Sequence, residues 1–298
     1  MFMKTRIITG LAYACLAVAA LFLLQSPLLQ CLIIAFSAMA AYELCHAVQM
    51  KNKAMIGVAM AAAALFPPLL EYWPLLYERL HIPAYPLLLG YFILLLALML
   101  ARFEVTRFSH VLYALFASLA VPGAMTTIVM MRDSVQAREG AAYEPSLAAW
   151  LIFFTLCCAW LTDACAYFAG RTLGKHKLAP HISPKKTVEG AIGGVIGVTL
   201  VNLGFVLLFN QVFLKQYKIN LLAAGLLSLI LGAVSMVGDL AASVLKRNYG
   251  VKDFGRFFPG HGGVMDRFDS ILLVSPVVFA LLQLEQSLGL HIFYEVLA

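Results

Sequence analysis

Residues 221–247 read LLAAGLLSLILGAVSMVGDLAASVLKR. An apolar run of about 20 residues is what a helix needs to cross a bilayer, and this stretch supplies it. It then places an acid, Asp239, one or two turns before the end and closes on Lys246 and Arg247. Asp239 and Ser243 are four apart and Lys246 three further, so the three share one helix face. An ionised carboxylate at that depth costs roughly 2.5–3.5 kcal/mol on insertion scales and needs a partner: a metal, a basic side chain or a water-filled cavity.

The rest of the 298 residues extends the same plan. Hydrophobic residues make up 62% and charged residues 12%, against about 45–50% and about 25% in soluble domains. Nine spans are expected, at 6–24, 27–47, 54–70, 85–101, 110–131, 147–170, 190–210, 221–245 and 269–288, giving an all-α polytopic membrane protein. Lys4 and Arg6 precede the first run, which is too long for a cleaved signal and is read as a retained helix. Pro67 and Pro68 are expected to break or kink the third span. Pro122-Gly123 is expected to kink the fifth without ending it.

The charges orient the bundle. Of the 21 Lys and Arg, sixteen fall in the segments that are inside if the N-terminus is inside. The other five (Arg79, Arg132, Arg138, Lys215 and Lys218) fall outside. Positive charge favours the cytoplasmic side, so the N-terminus is expected inside and the C-terminus outside. The basic residues sit in short loops between apolar runs, which argues against a nucleic-acid binder. The six cysteines lie in or beside apolar runs and imply neither zinc spacing nor a disulfide framework. No internal repeat or low-complexity stretch is evident. The chain divides by chemistry into 1–146, five spans with few polar groups, and 147–298, four spans with almost every unusual polar residue.

Three polar clusters fall on the inner side. The first holds Asp163, Tyr167, Gly170 and Arg171 on one helical face, and runs on to Ser183, Lys185, Lys186, Thr187, Glu189 and Gly190. The second is Gly238, Asp239, Ser243, Lys246 and Arg247. The third is Lys252, Asp253, then Gly260, His261, Gly262, Gly263, Asp266, Arg267, Asp269 and Ser270. Asp163 and Asp239, with Asp266 and Asp269 three apart at the next helix start, form an oxygen-donor set that suits Mg²⁺ with substrate phosphates; an interhelical ion pair is the structural alternative. Lys185 and Lys186 precede a helix start near Thr187, a natural phosphate site, or serve only as inside loop charges. The Gly260–Gly263 run can bring backbone N–H groups to an anion. Phe254, Phe257 and Phe258 either seat this loop at the lipid interface or pack it. Phosphates beside divalent metal and cationic side chains point to phosphoryl or nucleotidyl transfer, in which positioning and charge neutralisation do most of the catalysis.

Ser243-x-x-Lys246-Arg247, four residues, Lys252-Asp253-x-Gly255, then Pro259-x-His261-Gly262-Gly263-x-x-Asp266-Arg267-x-Asp269 resembles the pattern of the phosphatidate cytidylyltransferases, or CDP-diacylglycerol synthases. The match is gap-free, and the resemblance is specific over about 163–270. It implies transfer of CMP from CTP to phosphatidate within the membrane, releasing pyrophosphate, with Mg²⁺ and a homodimeric bundle. It also implies metal binding by Asp239 and Asp266, to which Asp163 and Asp269 are candidate additions, and admits a monovalent cation such as K⁺. Lys246 and Arg267 would act with them. Ser183, Lys185, Lys186, Ser243, Arg247, Lys252, His261, Gly262 and Gly263 would bind the phosphates of the two substrates. Ala242 stands where many relatives would carry an acid, so no further carboxylate is expected there. The compact loops favour a bacterial cytoplasmic membrane, with the site facing the cytoplasm. Two other readings remain: a CTP-dependent kinase of a polyprenol-type lipid, and a transporter.

Overall fold

The computed structural model describes residues 26–81, 83–140, 144–258, 260 and 262–296. The expected span at 6–24 lies outside them. Among the described residues, eight helical stretches are long and apolar enough to cross a membrane, and they correspond in order to the second to ninth expected spans. They are α1 (Leu28–Ala47), α2 (Lys53–Leu80), α3 (Ala84–Ala101), α4 (Phe108–Leu115) continuing into α5 (Val121–Glu139), α6 (Pro145–Leu173), α7 (Val188–Leu208), α8 (Leu221–Asn248) and, after the one-turn α9 (Met265–Phe268), α10 (Ile271–Leu288).

Of the break or kink expected at Pro67 and Pro68, the break does not occur. Helix α2 runs unbroken past Pro67, Pro68 and Pro74 to Leu80. Proline removes a donor from the ladder, but packing in a membrane bundle can carry a helix through it, and α1 packs along α2 here. Pro122 does not terminate the helix, as expected. A π-helical turn, Phe116–Ala120, joins α4 to α5. The Val121 N–H bonds back to the Phe116 carbonyl, so the ladder slips by one residue just ahead of the missing Pro122 donor. The described residues also contain two short antiparallel strand pairs that hydropathy did not indicate. One is a hairpin of β1 (Lys177–Ala179) with β2 (Ser183–Thr187), and the other pairs β3 (Tyr217–Ile219) with the distant β4 (Tyr294–Val296).

The chain packs as two units. One comprises Ser26–Thr126 with Asn248–Arg267, the other Thr127–Arg247 with Phe268–Ala298. In the first, Cys45, Met55, Leu95, Val111 and Ala114 build a buried apolar core. Asn52 caps α2 by accepting the Met55 N–H at 3.2 Å and donates to the Leu98 carbonyl at 2.9 Å and the Thr106 hydroxyl at 3.1 Å. That one side chain ties together the loops at one end of α1–α4.

In the second unit, α6, α7 and α8, with the hairpin between α6 and α7, carry the first two polar clusters, and the three helices are bound to each other by buried polar contacts. Asn202 on α7 donates to Ser228 on α8 at 3.0 Å and to the Cys158 sulfur on α6 at 3.2 Å. Ser235 on α8 donates to the Ala159 carbonyl at 3.0 Å. Helices α6 and α7 approach through small residues. A Cβ on Gly194 would stand 2.8 Å from Ala166 Cβ and 2.9 Å from the Thr162 carbonyl oxygen. Away from the polar clusters, Glu139 accepts the hydroxyls of Tyr217 at 2.8 Å and Tyr294 at 2.7 Å, while fully buried Glu285 pairs with Arg138 at 3.0 Å.

Gly194→Val is therefore expected to destabilise the detergent-solubilised protein by about 1–3 kcal/mol through overpacking. Gly204→Ala, where an added Cβ meets nothing within 4 Å, is expected to be neutral or to gain up to about 1 kcal/mol of helix propensity. Thermal unfolding of the two variants beside the parent checks the contrast.

Candidate active site

The site grows from the short loop between α6 and α7. Helix α7 begins where Thr187 turns from strand to helix and its hydroxyl accepts the Gly190 N–H at 3.1 Å, satisfying one of the donors every helix start leaves open. Glu189 folds back to accept the backbone N–H groups of Lys175 at 3.0 Å and His176 at 3.1 Å, and meets the His176 ring at 2.6 Å. Those bonds pin the β1–β2 hairpin against the helix start. Arg247, at the end of α8, donates to the Ile182 carbonyl in the hairpin turn at 3.2 Å. Lys185 and Lys186, two adjacent lysines in β2, are thereby held beside α6 and α8.

Lys186 is the centre of the arrangement. Its ammonium pairs with Asp239 on α8 and lies 3.6 Å from Asp163 on α6. Burial pushes its pKa down, but the carboxylates of Asp239, Asp163 and Asp269 outweigh that and hold it above the ordinary lysine value. The lysine therefore stays charged at any physiological pH. The ion pairing that stood as the structural alternative for Asp163 and Asp239 is present, with Lys186 on a third element as the shared partner. A cavity of about 530 Å³ opens over this pair, lined by Asp163, Tyr167, Gly170, Arg171, Ser183, Lys185, Lys186, Thr187, Gly190 and Asp239. The first cluster apart from Glu189, and Asp239 of the second, thus share one cavity, and Asp163, Tyr167, Gly170 and Arg171 share one face as their spacing implied.

The fourth acid differs from its expected setting. Asp266 and Asp269 do not share one helix start, because α9 ends at Phe268 and α10 begins at Ile271; Asp269 lies in the turn between. The backbone of this turn rests on α8 at Gly238, where a Cβ would stand 2.9 Å from the Asp269 carbonyl oxygen. Burial and the neighbouring Asp239 and Asp163 push the Asp269 carboxyl up to about 7, with Lys246 and the Ser270 N–H pulling the other way. Lys246 and Ser243, on the Asp239 face of α8, are buried.

The remaining candidates belong to the first unit. Asp266 Oδ2 accepts the N–H groups of Phe254 at 2.8 Å and Gly263 at 3.0 Å, so the Gly263 N–H points to that carboxylate and not into an anion site. Gly262 takes φ +84°, where a side chain is strained. Arg267 lies in the same unit, and Lys252 lines a second cavity, described below. His261 lies outside the described residues. Phe254 is buried at 5% exposure and Phe257 is open at 51%, so the first packs the loop and the second faces outward.

Sequence reasoning missed Glu43. This α1 carboxylate is 4% exposed and accepts the N–H groups of Val264 at 3.0 Å and Met265 at 2.9 Å. The first half was read as chemically plain, yet an ionisable residue inside a spanning run is itself a signal, and Glu43 stands in one.

Among the described residues, no three His, Cys, Asp or Glu side chains form a cage for a metal ion. Mg²⁺ takes one or two carboxylates and completes its shell with water and phosphate oxygens. Asp163 and Asp239, which meet at Lys186 and line the cavity, are the two carboxylates that would supply protein oxygens to such a shell.

A family model described as "Cytidylyltransferase family" matches residues 4–285. Similar proteins, each named phosphatidate cytidylyltransferase, occur in Staphylococcus haemolyticus (44% identical over 131 residues), Bacillus subtilis strain 168 (46% over 133) and Staphylococcus aureus strain COL (43% over 131). These alignments cover 44%, 45% and 44% of this chain and 48%, 47% and 48% of the relatives, so the chain spans about half the length of the relatives it matches.

The raised Asp269 carboxyl yields a pH test. Its folded pKa of about 7 exceeds the unfolded value near 3.8. Ionising it therefore destabilises the fold as pH rises between those values. In chelator, Asp269→Asn is expected to be more stable than the parent at pH 8, with the gain vanishing towards pH 4. Thermal unfolding across that range measures it.

Proposed function

Because the chain belongs to the cytidylyltransferase family, we propose that it transfers CMP from CTP to phosphatidate, giving CDP-diacylglycerol and pyrophosphate for phospholipid synthesis. The observation that carries this reading is the cavity in which Lys186 stays charged between Asp163 and Asp239 while Lys185 and Arg171 line the walls. It is a place for a polyanion, at the ends of membrane-spanning helices. Its substrates accordingly come from two phases, a nucleotide from water and a lipid from the bilayer.

The chemistry needs no strong base. An ionised phosphate oxygen of phosphatidate attacks the α-phosphorus of CTP, the bond from that phosphorus to the β-phosphate's bridging oxygen breaks, and pyrophosphate departs with the electron pair. The obstacle is the approach of one anion to another. Fixed cations lower it by cancelling charge as it develops. Lys185, Lys186 and Arg171 supply this in the cavity, with Lys246 and Arg247 on α8. From the resemblance we also assign phosphate binding to Ser183 and Ser243 in this unit and to Lys252, Gly262 and Arg267 in the other.

Asp239, with Asp163 and Asp269, is our assignment for holding Mg²⁺. The resemblance gives Asp266 a metal role as well, and its carboxylate also organises the loop. When bound, Mg²⁺ would neutralise triphosphate charge and stabilise the leaving pyrophosphate. We assign a K⁺-type cation and a homodimer to the same reading. From the sixteen-to-five charge split, the site faces the cytoplasm of a bacterial inner membrane.

Purified protein with Mg²⁺ and phosphatidate is expected to move label from the cytidine of CTP into lipid. Label appearing in lipid only from the γ-phosphate, with CDP released, would identify a lipid kinase instead and overturn the reading. Asp239→Asn is expected to reduce transfer by about 100-fold or more while the protein still inserts and folds; near-parental turnover removes the metal assignment.

A further inference from the structure

Glu43 takes no part in the reaction just described, yet it is among the most buried charged groups in its unit. A carboxylate inside an apolar helix costs several kcal/mol unless its oxygens are satisfied. Both oxygens of Glu43 are used, Oε1 by the Val264 N–H and Oε2 by the Met265 N–H. The Gly255 and Gly263 backbones lie against the same carboxylate, close enough that a Cβ on either would overlap it. Asp266 gathers the Phe254 and Gly263 N–H groups in the same way. Two carboxylates thus hold the stretch 254–266 through four backbone donors, and only Glu43 comes from outside it. The loop's glycines at 255 and 263 are spaces for Glu43.

The loop also builds a wall. Lys252, Asp253 and Arg256 line a cavity of about 660 Å³ together with Glu43, Tyr42 and His46, so a slip of the loop moves its charged lining. We propose that Glu43 is a positioning residue: it touches no substrate, and it sets the register of the loop that carries Lys252 and Asp266. The effect on turnover rests on the cytidylyl-transfer reading; the effect on the loop does not.

A glutamine keeps the volume but offers one acceptor oxygen and turns an NH₂ donor towards a backbone N–H. Glu43→Gln is therefore expected to speed amide exchange in peptides covering 254–266 by about tenfold or more, with α6–α8 peptides unchanged. Glu43→Ala is expected to go further and to lower turnover by at least about tenfold in protein that remains folded and monodisperse. Gly255→Ala in the parent is expected to match that loss, because its methyl strikes the carboxylate; added to Glu43→Ala it is expected to change turnover less than twofold. A purely stabilising Glu43 would lower the unfolding temperature without local exchange or this non-additivity. Unchanged exchange over 254–266 in Glu43→Gln, or full additivity with Gly255→Ala, overturns the proposal. Where Glu43→Ala does not fold, Glu43→Gln decides it by exchange. Absence of cytidylyl transfer in the parent would sink the functional reading and leave the exchange result standing.

Discussion

Asp163 and Asp239 sit on two different membrane-spanning helices, α6 and α8, and the ammonium of Lys186, from the hairpin between α6 and α7, answers both. Carboxylates at that depth are tolerated only with a partner. The need for one governs much of the local architecture. The hairpin must fold back over the helix ends, so Glu189 pins it to the start of α7 and Arg247 ties its turn to α8. Helices α6, α7 and α8 must keep a fixed spacing, so Asn202 and Ser235 join them by hydrogen bonds inside the bundle. Apolar contact gives little discrimination between helix and lipid, and small residues and buried polar contacts set the geometry.

The same constraint works through the backbone in the other unit. There the answering groups for Glu43 and Asp266 are N–H donors of an irregular loop. An irregular segment at the edge of a bundle leaves backbone donors open, and a buried carboxylate is a strong acceptor for them. Each satisfies the other. The result is a loop whose shape is set by side chains, which is why glycine stands wherever a carboxylate presses closest.

Much of this was legible in the linear chain. Hydropathy placed the helices from 27 to 288 within a few residues at most ends. Spacing put Asp163, Tyr167 and Arg171 on one face, and the Ser183–Gly190 run marked a helix start beside lysines. The misses have physical causes. Pro67 and Pro68 left a break open beside a kink, because a propensity rule contains no neighbouring helix to hold the ends together. The two strand pairs were invisible because strands of three to five residues carry too few alternations to register. Asp266 and Asp269 looked like one helical face because nothing local announces the turn that separates α9 from α10.

Glu43 shows where the boundary lies. By itself the sequence determined that the chain is a helical membrane protein, where its described spans run, and that acids and lysines gather in its second half in a pattern like that of the cytidylyltransferases. Those properties depend on composition and on periodicities of a few residues. Only the tertiary structure decided which charge meets which: Lys186 with Asp163 and Asp239, Arg247 with the hairpin, and Glu43 with a loop more than two hundred residues away. Partner choice is a matter of three-dimensional distance, and a local pattern can state that a buried carboxylate needs a partner without holding the coordinates that say which one it has.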